Sequence, residues 1–289
     1  MYLGHWNLRE EPFQNVADPR FAYLSDQHQE GLARLIYLVS GRRLGGALVG
    51  PYGVGKSMVL ELLASKVSSM PGSRMIRLDV PPGGLDAIAR HIGRSLAPTL
   101  TFADVASVLE AIQEMVAARS GFAHTVLALD EAQLIRDQEA FDFLRLLTNF
   151  RVPGAANCPE SAAFTLILSG HGQLADMLDH ETALRQRLSM VWRLEPLNEK
   201  QVIEYVELRM RAAGGDIWVF DKESLQEIAA ASGGIPRLIN NICDLALMIG
   251  FIMKATKITR EIAIHAIEEA GRPSLSAVGG GAPPEGAMR

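Results

Sequence analysis

One stretch of eight residues constrains the fold of this chain more than any other. Residues 50–57 read Gly-Pro-Tyr-Gly-Val-Gly-Lys-Ser and fit the pattern G-x-x-x-x-G-K-[ST]. An apolar run, residues 47–49, precedes them, and a helix-forming stretch, residues 57–66, follows. A glycine-rich loop between a strand and a helix directs backbone N–H groups and the positive end of the helix dipole at one anion. The sequence therefore predicts a phosphate-binding loop for a nucleoside triphosphate.

Each position of this loop has an expected role. We expect Lys56 to reach the β- and γ-phosphates and the Ser57 hydroxyl to coordinate Mg²⁺. The expected cofactors are ATP and Mg²⁺. The residues predicted to surround the nucleotide are Gly50, Pro51, Tyr52, Gly53, Val54, Gly55, Lys56, Ser57 and Met58.

A second motif supplies the acidic side of the same site. Residues 126–131 read Val-Leu-Ala-Leu-Asp-Glu, an apolar strand that ends in paired acids. Asp130 is expected to hold the Mg²⁺, and Glu131 to polarise the water that attacks the γ-phosphate. The guanine-reading sequence Asn-Lys-x-Asp occurs nowhere in the chain. The pair therefore predicts hydrolysis of ATP as well as binding.

A polar residue at the tip of a later strand could sense the γ-phosphate or the attacking water. Residues 163–169 form an apolar run that ends in Ser169, followed by Gly170 and His171. Ser169 is the first candidate and His171 the second. The alternative is a serine that only ends a strand before a glycine turn.

Three arginines are candidates for stabilising the transition state. Arg185 and Arg187 lie on a short predicted helix, where a solvated face is the alternative. One of them could act in trans, since a cation supplied by a neighbouring subunit accelerates such hydrolysis by about 10³–10⁵. Arg237 follows Gly233, Gly234 and Pro236, so it is held in the first turn of a helix. Its alternative is an ordinary capping turn.

Composition narrows the class of protein. The 289 residues carry a net charge of −5, so no overall basic field indicates nucleic-acid binding. Cys158 and Cys243 fit neither a disulfide framework nor zinc-ligand spacing. The longest apolar run, residues 245–253, is far shorter than the ~20 residues of a membrane span. We expect a cytoplasmic protein without a direct membrane span, which could be peripheral to the inner membrane through a partner.

The order of predicted elements indicates an α/β fold. Strands at 75–80, 125–129 and 163–169 alternate with helices at 27–40, 85–96, 103–118 and 138–149, with a loop at 151–161. This alternation predicts a parallel sheet with helices on both faces. Together with the phosphate loop, it resembles the P-loop NTPases of the ASCE type. From residue 196 the pattern is helical only, at 199–212, 222–231, 236–253 and 260–270.

Four segments follow from this order of elements. Residues 1–44 are expected to pack on the ATPase core, and residues 45–195 to form the nucleotide-binding α/β domain. Residues 196–271 would form a small helical lid, and the Pro- and Gly-rich tail, 272–289, is expected to be disordered.

These elements, in this order, resemble the AAA+ ATPases, and most of all the ExeA/GspA-like branch of general secretion ATPases. That branch is itself similar to transposition ATPases of the TnsC/TniB kind. The resemblance implies that residues 18–24 pack near the adenine, Ser169 is sensor 1, Arg185 or Arg187 is the arginine finger, and Arg237 is sensor 2. The residues that carry it outside the nucleotide motifs are Met1, Tyr2, Leu3, Trp6, Leu8, Pro12 and Phe13, then residues 18–21, Tyr23 and Leu24, then residues 144–149 and 232–240.

Three functions remain open at this point. The first is an oligomeric ATPase that acts on a protein client of a secretion pathway. The second is an ATP-dependent DNA-binding regulator of transposition, against which the acidic net charge weighs. The third is a switch that binds ATP with little turnover.

Overall fold

The structure is a computed structural model that describes residues 1–79, 84–118, 122–153 and 160–271. The chain forms two compact units. Val16–Leu197 forms what we call the sheet unit, and Met1–Asn15 joins the chain from Asn198 onward in what we call the helical unit. Cys158 and the predicted tail, 272–289, lie outside the described residues.

The sheet unit contains alternating strands and helices, with two 3₁₀ turns at Pro19–Phe21 and Ala132–Leu134. The elements are α1 (Asp26–Ser40), β1 (Gly45–Val49), α2 (Lys56–Ser68), β2 (Ser73–Asp79), α3 (Gly84–Leu96), α4 (Val105–Ala117), β3 (His124–Asp130), α5 (Gln138–Leu147), β4 (Arg151–Pro153), β5 (Glu160–Ala162), β6 (Phe164–Gly170), α6 (Gly172–His180), α7 (Thr182–Arg185) and β7 (Val191–Arg193).

The main sheet of the described residues has the strand order β2-β3-β6-β1-β7, and every neighbouring pair is parallel. β6 therefore separates β1 from β3, and the ends of these strands meet at one edge of the sheet. Successive side chains along a strand point to opposite faces. Val126 of β3 packs on α1 and α2, while Leu127 packs on the cluster that includes α3, α4 and α5. Both faces are covered, which explains the continuous apolar runs in the sequence.

The predicted parallel sheet is confirmed, with two local corrections. The predicted loop at 151–161 was wrong at both ends, where β4 and β5 pair antiparallel. These strands have only three residues each, too few for an apolar pattern to show. The edge strand β7 and the helix α6 were also not predicted. The short helix predicted for Arg185 and Arg187 is α7, but it ends at Arg185, so Arg187 lies beyond it.

The helical unit contains α8 (Glu199–Ala212), α9 (Lys222–Ser232), α10 (Pro236–Ile252) and α11 (Arg260–Ala270). The first fifteen residues pack against it, although the sequence placed residues 1–44 together on the ATPase core. Trp6 is buried and donates from its indole N–H to the Leu247 carbonyl at 2.9 Å. Arg209 is 3% exposed, and its guanidinium donates to the carbonyls of Pro12 at 2.6 Å and Gln14 at 2.8 Å. The sequence did not predict this packing of the first fifteen residues, because buried contacts of single aromatic and charged side chains produce no apolar periodicity.

Among the described helices, none is both long and apolar enough to cross a bilayer.

Candidate nucleotide site

The glycine-rich loop is shaped by two glycines with left-handed backbone angles. Gly53 has φ 75° and Gly55 has φ 108°, a region that other residues rarely adopt. Gly55 is the N-cap of α2, so the loop turns directly into the first turn of that helix. β1, which leads into the loop, is buried at all five positions. A rigid strand and a helix N-terminus thus hold the loop in the arrangement that binds phosphate.

A buried histidine supports the loop from below, and sequence reasoning missed it. His28 is 3% exposed, and its Nε2 lies 2.9 Å from the Val54 carbonyl oxygen. Because a carbonyl only accepts, Nε2 carries the proton, and Nδ1 accepts from the Ser25 hydroxyl at 2.7 Å. Burial lowers the pKa of His28, which favours this neutral form. A Cβ at Gly55 would stand 2.9 Å from Nε2, so a glycine there leaves room for the ring.

Lys56 is buried at the mouth of the loop. Its Nζ donates to the carbonyls of Gly50 and Pro51, both at 2.9 Å, and the residue is 5% exposed. An ammonium group held by two neutral carbonyls can exchange them for phosphate oxygens, which carry charge. The geometry is therefore consistent with the phosphate-binding role predicted for Lys56.

Ser57 and Asp130 meet at the ends of α2 and β3. The Ser57 hydroxyl donates to Oδ2 of Asp130 at 2.8 Å. A hydroxyl and a carboxylate are oxygen ligands of the kind that Mg²⁺ takes together with phosphates and waters. The residues present therefore fit the metal that the motifs imply.

An arginine that the sequence analysis did not select also contacts Asp130. Arg77 of β2 donates to Oδ2 of Asp130 at 3.3 Å and to Oε2 of Glu61 at 3.2 Å. The Asp130 side chain is 4% exposed, so this guanidinium balances a carboxylate that little solvent reaches. In the sheet register Arg77 lies beside Ala128, two residues before Asp130. Only that register, which a single sequence does not provide, could have indicated the contact.

Glu131 leaves the strand in a left-handed conformation, with φ 52° and ψ 36°. For a residue other than glycine this geometry is uncommon and costs about 1–3 kcal/mol. Its backbone N–H donates to Oδ1 of Asp130 at 3.1 Å, and its carboxylate accepts from Nε2 of Gln133. Asp130 and Glu131 therefore have different partners, which suits a metal ligand beside a base.

The two sensor candidates lie at the tip of β6, between β1 and β3. Ser169 is fully buried, and its hydroxyl has no hydrogen-bond partner among the described residues. A buried hydroxyl without a partner is costly, so its presence here calls for an explanation. Nδ1 of His171 accepts from the Gln173 N–H at 3.3 Å, and the ring contacts Tyr52 of the loop, with ring centroids 4.6 Å apart.

The three candidate arginines have surroundings of their own. Arg185 pairs with Asp179 at 3.8 Å and donates to the Leu188 carbonyl at 3.4 Å. Arg187 is half-buried two residues further on. Arg237 is exposed in the first turn of α10 and belongs to the helical unit. The roles predicted for these three residues stay predictions.

Comparison with known proteins places this geometry in a family. Residues 40–178 match the family model of the AAA domain. Over 280 residues the chain is 31% identical to general secretion pathway protein A from Aeromonas hydrophila. The match covers 94% of this chain and 49% of that protein, so the chain spans about half the length of this relative.

Solved structures share the fold at lower identity. Cdc6p from Pyrobaculum aerophilum matches with a TM-score of 0.68 and 20% identity, covering 88% of this chain and 71% of that one. A chain of Drosophila ORC bound to DNA matches with a TM-score of 0.67 and 18% identity, covering 93% and 66%. A RuvB variant from Thermotoga maritima matches with a TM-score of 0.58 and 16% identity, covering 85% and 70%. The chain belongs to the AAA+ ATPases related to general secretion pathway protein A.

Proposed function

We propose that this chain binds ATP with Mg²⁺, hydrolyses it within an oligomer and passes the resulting motion to a protein partner of a secretion pathway. The observation that carries the proposal is the contact between the Ser57 hydroxyl and the Asp130 carboxylate at 2.8 Å. This contact brings the phosphate loop and the acidic strand end to one point, where the two predicted metal ligands can hold one cation.

The proposed mechanism assigns one task to each residue. The loop N–H groups and Lys56 bind the β- and γ-phosphates, and Ser57 and Asp130 hold Mg²⁺. When bound, the metal would neutralise charge that develops on the β- and γ-oxygens. Glu131 accepts a proton from water while the water oxygen bonds to the γ-phosphorus, and the bond to the β,γ-bridging oxygen breaks to leave ADP and phosphate. Ser169, whose hydroxyl has no hydrogen-bond partner among the described residues, would contact the γ-phosphate or this water.

The oligomer is part of the proposal because the transition state of hydrolysis calls for a further cation. In the described part of the sheet unit, Lys56 contacts the loop and Arg77 contacts Asp130. Hydrolysis of this kind gains about 10³–10⁵ in rate from an arginine at the transition state. We propose that Arg185 or Arg187 of a neighbouring subunit supplies it, and that Arg237 acts as sensor 2.

The client is inferred from the relative. The named relative acts in general secretion, and the match extends over 94% of this chain. We therefore propose a secretion-pathway component as the partner, with the ATPase in the cytoplasm and any membrane association made through that partner. DNA as the client, in the manner of transposition regulators, is the competing outcome.

Two measurements on the full chain test this function. The first is the oligomeric state by light scattering with ADP and with a non-hydrolysable ATP analogue, where we expect larger assemblies with the analogue. The second is binding to double-stranded DNA with the analogue over a salt series. Electrostatic binding to DNA weakens steeply with salt, so binding is sought at low salt. ATP-dependent DNA binding there would contradict the secretion proposal and favour the transposition alternative. A monomer in every nucleotide state would contradict the oligomer.

A further inference from the structure

Gln133 links the proposed catalytic carboxylate to the turn that follows the sensor strand. Its Nε2 donates to Oε2 of Glu131, and its Oε1 accepts from the His171 N–H at 3.3 Å. The residue is 7% exposed. We infer that Gln133 is a positioning residue that fixes the Glu131 carboxylate for attack of water on the γ-phosphate. This inference rests on the proposed function.

The fold leaves a dedicated space for the Gln133 amide. A Cβ built at Gly170 would lie 2.3 Å from Oε1 of Gln133, a distance that van der Waals contact forbids. The last residue of β6 therefore has to be a glycine while Gln133 holds this position. The His171 N–H and Gly170 both lie at the amide oxygen of Gln133. This arrangement fits a side chain held by specific contacts better than one that only fills space.

Glu131 needs such a restraint because its own backbone does not provide one. It lies in a left-handed turn directly after β3, outside the ladder of the sheet. A glutamate side chain loses about 1.5–2 kcal/mol of conformational entropy when it is fixed, and Gln133 is anchored at its other end. One amide with two partners can thus hold the carboxylate in one orientation.

The same contacts connect Glu131 to the phosphate loop. His171, whose backbone N–H donates to Gln133, contacts the Tyr52 ring in a tilted arrangement with an interplanar angle of 48°. Tyr52 is 55% exposed and belongs to the loop predicted to surround the phosphates. A path of direct contacts therefore runs from Tyr52 through His171 and Gln133 to Glu131. If nucleotide binding shifts the loop, these contacts can transmit the shift to the Glu131 carboxylate.

Loss of the Gln133 contacts should slow ATP hydrolysis without weakening nucleotide binding. Gln133 contacts neither Lys56 nor Ser57 in any hydrogen bond of the described residues. A misplacement of about 1 Å at a catalytic group can cost about 10²-fold in rate. Removal of Gln133 should therefore lower kcat and leave the KM for ATP almost unchanged.

The test uses the full chain and substitutes glutamine by residues with side chains of similar length. Gln133→Met removes both hydrogen bonds, and Gln133→Glu removes the donor and places a second carboxylate beside Glu131. Gln138→Met is the matched control, because Gln138 makes the same amide-to-carboxylate bond to Glu181 on the exposed surface. We expect both Gln133 variants to lose about 10- to 100-fold in kcat with KM within about twofold, and the control to keep both parameters. Melting temperature and binding of a fluorescent ADP analogue are measured alongside.

Three results separate this inference from the proposed function. If Glu131→Gln abolishes turnover while Gln133→Met keeps a normal kcat, the inference about Gln133 is wrong. The proposed function is then still supported. Equal losses in kcat and in nucleotide affinity also overturn it, because they indicate a structural role. Normal turnover by Glu131→Gln removes the proposed function itself, and the inference with it.

Discussion

The Ser57 hydroxyl donates to the Asp130 carboxylate at 2.8 Å although the two residues are 73 positions apart in the sequence. The contact joins the first turn of α2 to the end of β3, with β6 lying between β1 and β3 in the sheet. Arg77 reaches the same carboxylate oxygen from β2. A buried acid thus has a hydroxyl and a guanidinium as partners at the place where the motifs predict a metal ion.

Arg77 is expected to stabilise the ligand-free protein more than the loaded one. Arg77→Met should lower the free energy of unfolding by about 1–3 kcal/mol, because a buried carboxylate loses its charged partner. Saturating Mg²⁺ and ADP should reduce this loss, since the metal would then supply the positive charge. Denaturant unfolding with and without ligand measures the difference.

The control for Arg77 is an exposed ion pair on the same unit. Arg90 pairs with Asp86 at 3.6 Å, one helical turn apart, and both side chains are well exposed. Arg90→Met should change stability by about 0.5 kcal/mol or less with or without ligand. A loss at Arg77→Met that is equal in both conditions would argue against a shared site for guanidinium and metal.

Ser169 should matter for turnover but not for folding. Its hydroxyl is buried without a partner, so Ser169→Ala removes no hydrogen bond in the described residues. The unfolding free energy should stay within about 1 kcal/mol of wild type or rise, while kcat falls by about 10-fold or more.

A second buried serine provides the comparison for Ser169. Ser232 is 1% exposed, donates to the Ala229 carbonyl and accepts from the Gly234 N–H, both at 3.3 Å. Ser232→Ala should therefore lower stability by about 1 kcal/mol. If Ser169→Ala destabilised the protein as much as Ser232→Ala and left kcat intact, the sensor role would be wrong.

His124 predicts a loss of stability in acid. Burial, followed by the charge of Arg42, lowers its pKa from 6.5 to about 4. Between these values the unfolded chain binds the proton more strongly, so stability is complete above pH 6.5 and falls as the pH drops towards 4. The largest loss is about 3 kcal/mol. Urea unfolding across this range should show a shallower pH dependence for His124→Gln than for wild type, and equal slopes would contradict the prediction.

The arginine finger is tested by mixing subunits. Arg185→Ala and Arg187→Ala should each bind nucleotide normally, and the one that carries the finger should lose about 10³-fold or more in turnover. That variant keeps its own Glu131, so mixing it with Glu131→Gln subunits, which keep both arginines, should restore part of the activity. No recovery with either arginine variant would contradict action in trans.

The sequence predicted what depends on local pattern. The glycine-rich loop, the strand that ends in Asp130 and the helices from residue 199 onward each have their signal within a few residues. The parallel sheet follows from the alternation of such signals. Assignment of the two nucleotide motifs to one site required only that the parallel strands of one sheet end at the same edge.

The remaining contacts depend on residues that come together only in the fold. His28 supports the loop from α1, Arg77 reaches Asp130 across a strand register, and Gln133 fits beside Gly170. The packing of Trp6 on α10 joins the two ends of the chain in the same way. None of these residues belongs to a recognisable sequence motif, because the role of each depends on a partner that is distant in the sequence.

The central claim is that Glu131 converts a nucleotide-binding loop into an ATPase, and steady-state turnover of Glu131→Gln tests it most directly. Phosphate release and binding of a fluorescent ATP analogue are measured for wild type, Glu131→Gln and Lys56→Ala at concentrations where wild type assembles. We predict that Glu131→Gln binds ATP within a few-fold of wild type and loses about 10²-fold or more in kcat, while Lys56→Ala loses binding. Turnover of Glu131→Gln at the wild-type rate would contradict the account.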